Sequence, residues 1–237
     1  MKYMGSKNRI SKDILPIMLR DRGDRVWVEP FVGGANVIDK VGGLRIGNDN
    51  QRYVIALYKA LQGGWEPPIE VTSDFFFEVK SNRDKYSDEL VGYLGTQLTF
   101  GCEWWGSFRR DNVGKRRYDL EAYNNVMNQR PNLTGIEFTC LDYRDLDLPD
   151  RSLIYCDPPY SGVRKYVGNV KFDSDIFWQW CRDRSAEGHI VYVSEYSAPE
   201  DFECIWSKEI SASVNNSIKS GRGLKAVEKL FRIRLGV

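Results

Sequence analysis

The stretch Asp157-Pro158-Pro159-Tyr160 contains residue types in an order that could do chemistry. It directly follows a short apolar run, residues 152–156, that predicts a buried strand. The prolines cannot extend that strand, because proline lacks the ladder N–H and fixes its own φ angle. The turn would present a carboxylate, backbone carbonyls and an aromatic face where open α/β sheets bind ligands. It could hold a planar base by its exocyclic amine; a plain strand-ending turn is the alternative.

Composition and charge narrow the possible classes of protein. The chain has 237 residues, 42% hydrophobic and 28% charged, which is typical of a globular protein with one core, or a core with an inserted subdomain. The formal net charge is only +1, so a case for nucleic-acid binding must rest on local clusters. Five cysteines without a C-x-x-C pair, and a single histidine, argue against a disulfide framework and a metal site. Without a long apolar run or secretion signal, we expect a cytoplasmic protein with no membrane partner.

The elements that would position the turn begin with a β-α-β-α order. Strands are predicted at residues 26–29 and 44–47, and helices at 36–41 and 53–61. The pattern breaks at residue 63 and resumes with predicted strands at 136–139, 153–156, 189–193, 204–210 and 227–235 and a helix at 175–184. This order predicts an α/β fold with a parallel sheet and crossover helices. We expect a sheet domain made of residues 1–62 and 134–237, interrupted by an insertion at 63–133.

Two further features could bind a ligand. The stretch Glu29-Pro30-Phe31-Val32-Gly33-Gly34 ends the first strand, and its glycines would let backbone approach a ligand closely. It matches neither a Walker loop nor a full dinucleotide motif, so a simple tight turn is the alternative. Asp49 lies 20 positions after Glu29, where Rossmann-like folds place the acid that accepts hydrogen bonds from a ribose diol. Asp49 or Asn50 could also cap the next helix, and the two roles are compatible.

Taken together, these stretches resemble the Dam-type (alpha-group) DNA adenine-N6 methyltransferase family. The matching motifs, in the family's order and spacing, are Tyr3-Met4-Gly5-Ser6-Lys7, Val28 to Gly34, Asn48-Asp49-Asn50 and Asp157-Pro158-Pro159-Tyr160. The resemblance covers nearly the whole chain. It implies a Rossmann-like S-adenosylmethionine-dependent methyltransferase sheet with helices on both faces, and a mainly helical target-recognition subdomain at 63–133. The implied activity is site-specific methyl transfer from S-adenosyl-L-methionine to N6 of an adenine flipped out of double-stranded DNA.

The resemblance also implies roles for individual residues. The implied cofactor-binding set is Tyr3, Lys7, Glu29, Pro30, Phe31, Gly33, Gly34, Asp49, Asp142, Tyr143 and Asp157. Within it, Lys7 would pair with the methionine carboxylate, Asp49 would hold the ribose, and Asp142-Tyr143 would flank the adenine. The implied catalytic set is Asp157, Pro158, Pro159 and Tyr160, with Tyr160 stacking on the target base. The chain departs from the family at Ala35, where a third glycine is common, and at Tyr3, where tryptophan is common.

The segment of residues 104–117, called the basic segment below, combines five basic residues with aromatics and a single acid. Arginine can read guanine, lysine can neutralise phosphate, and an aromatic can fill the gap left by a flipped base. A solvated loop is the alternative, which the resemblance disfavours. The predicted DNA-binding residues are Trp105, Arg109, Arg110, Asn112, Lys115, Arg116 and Arg117, together with Arg222 in a glycine-containing loop near the C-terminus.

Other functions compete with DNA adenine methylation. RNA adenine or cytosine-N4 methylation could use the same scaffold, although the aspartate of the Asp157 motif and the motif order favour adenine. A catalytically decayed DNA-binding module is the non-enzymatic alternative, and the presence of Lys7, Asp49, Asp157 and Tyr160 argues against it. We expect a monomer, with a dimer on DNA left open. We also expect a solitary methyltransferase of a bacterial or phage-infected cell, without a nuclease segment of its own.

Overall fold

Seven strands and six α-helices make up the described part of the chain, which comprises residues 1–111, 113–159, 172–211 and 225–234 of a computed structural model. The fold is α/β, as the sequence predicts. The chain divides into two units: unit 1 contains Met1–Ser11 and Phe31–Leu146, and unit 2 contains Lys12–Pro30 and Asp147–Val237.

Unit 1 contains one parallel strand pair and four helices. The strands are β2 (Arg45–Asn48) and β3 (Ile136–Thr139), and the helices are α2 (Arg52–Gln62), α3 (Ser73–Ser81), α4 (Asp88–Gln97) and α5 (Tyr118–Leu133). Strands β2 and β3 pair from Arg45 opposite Ile136 to Asn48 opposite Thr139. Helix α2 forms because its apolar residues recur at helical spacing, and the buried stripe includes Val54, Leu57 and Leu61.

Unit 2 contains a five-stranded sheet and two helices. Its strands are β1 (Trp27–Glu29), β4 (Leu153–Cys156), β5 (Ile190–Ser194), β6 (Phe202–Ser211) and β7 (Lys225–Ile233), in the order β1-β4-β5-β7-β6. Helix α1 (Ser11–Arg22) lies mostly in this unit, and α6 is Ser174–Ala186. Strand β4 is parallel to both β1 and β5, whereas β7 is antiparallel to β5 and β6.

The residues of β4 are buried on both faces of the sheet, and neighbouring strands pair with both of its edges. This explains why β4 reads as an uninterrupted apolar run rather than an alternating one. His189 lies next to its start, and the Nδ1 atom of His189 accepts a hydrogen bond from the Ser152 N–H at 3.0 Å. The His189 imidazole thus satisfies a backbone donor at the start of the strand.

The segment predicted as an insertion, residues 63–133, is mainly helical where the structure describes it, since it contains α3, α4 and α5. These helices belong to the same unit as β2 and β3. The boundaries of the insertion and its target-recognition role stay predictions. Within the described ranges, no helix has the length and apolar character needed to cross a bilayer. The same ranges contain no cluster of His, Cys, Asp and Glu that could hold a metal ion.

Candidate active site

In unit 1, residues 31–35 form a tight turn, called the glycine turn below. The turn is closed by a backbone hydrogen bond from Ala35 N–H to Val32 O at 2.8 Å, and it is joined to the end of β2 by one from Val32 N–H to Asn48 O at 2.7 Å. Gly33 has a φ of +45°, a conformation that favours glycine. A Cβ atom at Gly33 would lie 2.9 Å from Tyr3 Cε1, and one at Gly34 would lie 2.6 Å from Tyr3 Cβ. Both positions must be glycine for Tyr3 to pack against the turn.

Asp49 follows β2 and joins the glycine turn to the start of α2. Its Oδ2 atom accepts from the Gly33 N–H and its Oδ1 atom from the Gln51 N–H, both at 3.0 Å. Burial raises the pKa of the Asp49 carboxyl, and the two backbone hydrogen bonds oppose that rise. The helix cap itself is Gln51. Each carboxylate oxygen keeps a further lone pair, so Asp49 can still accept two hydrogen bonds from a diol.

Two aromatic rings lie together in the same unit. The ring centroids of Phe31 and Tyr143 are 5.1 Å apart, with an interplanar angle of 41°. Asp142 precedes Tyr143, and its carboxylate accepts two hydrogen bonds from the Arg144 guanidinium, at 2.8 and 2.9 Å. Arg144 accordingly holds the pKa of Asp142 below its usual value. Asp142 is thus part of a local ion pair, while the two tilted rings offer an apolar surface.

The N-terminal segment, residues 1–7, brings two predicted cofactor-binding residues into unit 1. Tyr3 lies against Gly33 and Gly34, as described above. Lys7 is only 6% exposed, and its ammonium donates to Gly5 O at 3.0 Å. A buried ammonium of this kind can bind a carboxylate strongly, because little water competes for it.

The turn at Asp157 belongs to unit 2. It follows β4, in which Ile154 lies opposite Val28 of β1 and Cys156 lies opposite Val193 of β5. The Asp157 side chain is partly exposed, Pro158 is buried and Pro159 is partly exposed. Both prolines lack an N–H group that could extend the strand. The described part of the turn therefore places a carboxylate and a rigid backbone at the carboxyl end of a strand that has parallel neighbours on both sides.

The surroundings of this turn are acidic and buried. Glu29, at the end of β1, is 2% exposed and accepts a hydrogen bond from Trp27 Nε1 at 2.9 Å. Burial first, and then the negative charge of Asp157, raise the pKa of the Tyr155 hydroxyl. The Tyr155 hydroxyl is hydrogen-bonded to Ser194 Oγ at 2.8 Å. Glu29 is thus a buried carboxylate that is hydrogen-bonded within its own strand, whereas Asp157 is a partly exposed carboxylate that follows β4.

The predicted site residues are divided between the two units. Those of unit 1 are Tyr3, Lys7, Phe31, Gly33, Gly34, Asp49, Asp142 and Tyr143, and those of unit 2 are Glu29, Pro30, Asp157, Pro158 and Pro159. Tyr160, Asn112 and Arg222 lie outside the described residues. Sequence reasoning missed Asn36, which is 7% exposed and whose Nδ2 atom has no acceptor within the described part of the chain. Its position directly after the glycine turn was the one available signal.

Within the basic segment, Trp105 and Arg109 are parts of the unit's framework. Trp105 is 6% exposed and packs on Phe76, with ring centroids 5.0 Å apart. Its side chain is therefore buried within the unit, and the DNA-binding role of Trp105 stays a prediction. Arg109 donates to Glu121 at 3.3 and 3.4 Å and lies over the ring of Tyr118, 4.0 Å from its centroid.

The rest of the segment lies outside helices and strands at the described residues 110–111 and 113–116, called the basic loop below. The Asp111 carboxylate accepts hydrogen bonds from the backbone N–H groups of Val113, Lys115 and Arg116, at 3.0, 2.7 and 2.8 Å. These bonds hold the pKa of Asp111 below its usual value. The side chains of Arg110, Lys115 and Arg116 are exposed. Arg117 is exposed as well, but its guanidinium bonds to Asp119 at 2.9 and 3.0 Å.

Ala35 leads to a first prediction. Its φ is +52° although it carries a Cβ atom, so its backbone is strained, whereas glycine would adopt this conformation freely. We expect Ala35→Gly to raise the free energy of unfolding by about 0.5–1 kcal/mol, measured by urea denaturation. The control is Ala60→Gly within α2, which makes the same chemical change in a helix and should lower stability by about 1 kcal/mol. Losses of equal size in both variants would show that Ala35 is not strained.

A family model of the D12 class N6 adenine-specific DNA methyltransferases matches residues 3–179. The match covers well over half of the chain and includes the glycine turn, Asp49, the basic segment and the turn at Asp157. It confirms the resemblance drawn from the four sequence motifs. The chain belongs to the D12 class of N6 adenine-specific DNA methyltransferases, and its activity is the methylation of adenine in DNA.

Proposed function

We propose that the protein transfers the methyl group of S-adenosylmethionine to N6 of an adenine that is flipped out of double-stranded DNA at a specific sequence. The observation that carries this proposal is the turn at Asp157, a rigid, partly exposed carboxylate at the carboxyl end of β4. The proposal includes the monomeric state and the cytoplasmic location predicted from the sequence.

The chemistry of the base explains why a carboxylate followed by two prolines suits this reaction. The exocyclic amine of adenine is a poor nucleophile, because its lone pair is delocalised into the ring. If the Asp157 carboxylate and the Pro158 carbonyl accept the two amine hydrogens, the nitrogen becomes more tetrahedral and more nucleophilic. Fixed acceptors in a water-poor site lower the barrier by positioning and electrostatics, without a covalent enzyme intermediate. A base paired within a duplex cannot reach such a turn, so it must leave the stack.

The residues of unit 1 fit S-adenosylmethionine, which supplies an electrophilic methyl group when it is bound. Asp49 would accept hydrogen bonds from the ribose hydroxyls. These bonds would offset the free-energy cost of burying its ionised carboxylate. The Phe31–Tyr143 pair would cover the adenine, and Lys7 would pair with the methionine carboxylate. The unsatisfied Nδ2 atom of Asn36, next to the glycine turn, is a donor that a bound acceptor would satisfy.

For DNA binding, the basic loop is the best candidate surface. Arg110, Lys115 and Arg116 are exposed, and the carboxylate of Asp111 orders the backbone that carries Lys115 and Arg116. Preordered cations bind phosphates with a smaller loss of conformational entropy than flexible ones. Arg109 and Arg117 would contribute after leaving or sharing their carboxylate partners. Asn112 and Arg222 stay in the proposal on sequence grounds.

The proposal is tested by incubating the protein with labelled S-adenosylmethionine and random-sequence duplex DNA. We expect label in N6-methyladenine, and mapping of the modified positions should give one short sequence. The Asp157→Asn protein, purified in the same way, controls for contaminating methyltransferases. Label in N4-methylcytosine, or in RNA alone, would contradict the proposed substrate. If a high concentration of S-adenosylmethionine does not change the melting temperature of the protein, a catalytically decayed DNA-binding module explains the chain better than an active enzyme.

A further inference from the structure

Helix α4 holds the N-terminal segment through the side chain of Gln97. Gln97 is 2% exposed and is the last residue of the helix. Its Nε2 atom donates to Lys2 O at 3.0 Å, and its Oε1 atom accepts from the Lys2 N–H at 3.2 Å. The side-chain amide thus pairs with both backbone groups of one residue, as a neighbouring strand would. Two such bonds fix the position and the orientation of the Lys2 backbone.

The next residue after Lys2 is Tyr3, whose ring packs on the glycine turn. A Cβ atom at Gly34 would lie 2.6 Å from Tyr3 Cβ, so the two backbones approach very closely here. At such a distance a small displacement of the N-terminal segment would move Tyr3 off the turn. Fixing Lys2 therefore also fixes Tyr3 against Gly33 and Gly34.

Helix α5 holds the glycine turn through the side chain of Gln129. Gln129 is 5% exposed, and its Nε2 atom donates to Gly34 O at 3.2 Å and to Ala35 O at 3.1 Å. It also donates to Asp39 Oδ2 at 2.8 Å. The carbonyls of a tight turn need donors when they are buried, and here one side-chain amide supplies them. In addition, Glu121 of α5 pairs with the Lys2 ammonium and with Arg109.

We propose that Gln97 and Gln129 are positioning residues for cofactor binding, which gives helices α4 and α5 of the predicted recognition region a second role. The inference rests on the proposed function, because it takes Tyr3 and the glycine turn as cofactor-binding parts. The residue type supports it: only a side-chain amide offers a donor and an acceptor together at this length. Glutamate would lack the donor, and leucine would leave both backbone groups of Lys2 without their partner.

The test compares Gln97→Leu with Gln62→Leu. Gln62, an exposed glutamine at the end of α2, is the control in the same unit, since its Nε2 atom donates to two backbone carbonyls, Leu133 O at 2.7 Å and Ile136 O at 2.8 Å, away from the N-terminal segment. We expect Gln97→Leu to weaken the binding of S-adenosylhomocysteine by about tenfold, measured by calorimetry well below the melting temperature. Gln62→Leu should change this affinity by less than about twofold, although it also loses two hydrogen bonds to backbone carbonyls. The KM for DNA should stay close to the wild-type value in both variants.

Each outcome has a defined meaning. A wild-type cofactor affinity in Gln97→Leu would overturn the inference. Equal weakening in Gln97→Leu and Gln62→Leu would also overturn it, because it would indicate general loosening of the unit. If Gln97→Leu does not fold, Gln97→Glu replaces it, because it keeps the acceptor for the Lys2 N–H and loses only the donor. Wild-type protein that binds no S-adenosylhomocysteine would contradict the proposed function itself, whereas normal wild-type binding with an unaffected Gln97→Leu contradicts the inference alone.

Discussion

Replacing Asp157 by asparagine should lower the rate of methyl transfer by about a thousandfold or more, while the affinity for DNA stays within about threefold of wild type. Asparagine keeps the shape of aspartate but replaces one acceptor oxygen by an NH₂ group, which opposes the hydrogens of the adenine amine. The nitrogen would then lose the interaction that makes it nucleophilic. Single-turnover methyl transfer from labelled S-adenosylmethionine measures the chemical step, and a gel-shift titration measures DNA binding.

A loss of folding would not explain this result. The charge of Asp157 raises the pKa values of the buried Tyr155 hydroxyl and Cys156 thiol, after the larger effect of burial. The charge of a second carboxylate, Glu29, acts on the same two groups. Removing one of the two negative charges that act on these buried groups should leave the melting temperature unchanged or raise it. The matched control is Asp147→Asn, an exposed aspartate of the same unit, which should retain full activity. Near-normal turnover in Asp157→Asn would refute the catalytic assignment.

The strands and the turns that follow them were predictable because their signals are local. Strand β4 is buried along its whole length, so its sequence is a continuous apolar run, and the prolines after Asp157 mark where it ends. Asp49 was predictable for a related reason, since the carboxyl end of β2 is one residue away from it. In both cases a strand pattern and the residue that follows it are enough to place a side chain at a strand's carboxyl end.

The helices of residues 63–133 were not predictable in the same way. The last seven residues of α4, from Val91 to Gln97, are all buried, so the helix shows no alternation of an apolar and a polar face. Helix α5 contains Pro131 in its last turn, and a proline within a helical pattern normally argues against a helix. The same holds outside this region for α1, which contains Pro16. Tertiary packing stabilises these helices despite weak local signals.

Side-chain pairing across the unit was also beyond the sequence. Glu121 follows Arg109 by twelve positions and Lys2 by more than a hundred, so no spacing rule connects these three residues. The same holds for Gln97, which bonds to the backbone of Lys2. A basic segment that reads as uniformly cationic therefore divides into paired residues, such as Arg109, and exposed ones, such as Lys115. The charge count predicts a cationic surface, but only the fold shows which of its residues are paired and which are exposed.

Replacing Asp49 by asparagine should weaken the binding of S-adenosylhomocysteine by about a hundredfold. The change would remove the two charge-assisted hydrogen bonds proposed between Asp49 and the ribose hydroxyls. Each is worth about 1.5 kcal/mol or more, and each 1.4 kcal/mol is about tenfold in affinity. Asparagine can still accept from one backbone N–H but not from both, so the glycine turn would also be disturbed at Gly33. Isothermal titration with wild-type and variant protein measures the total loss, and Glu137→Gln, an exposed acid of β3, is the control for lost charge.

A second ligand separates the direct contact from the effect on the turn. Against a derivative of S-adenosylhomocysteine that lacks the ribose 2′-hydroxyl, wild-type protein should lose about tenfold in affinity, because one hydroxyl donor to Asp49 is missing. Asp49→Asn should lose less than about twofold on the same change, because that hydrogen bond is already weak in the variant. Equal losses in the two proteins would mean that Asp49 acts on the cofactor only through Gly33 and Gln51. Burial disfavours the ionised carboxyl of Asp49 at the end of β2. Hydrogen bonds from the ribose hydroxyls would stabilise this ionised form when the cofactor is bound.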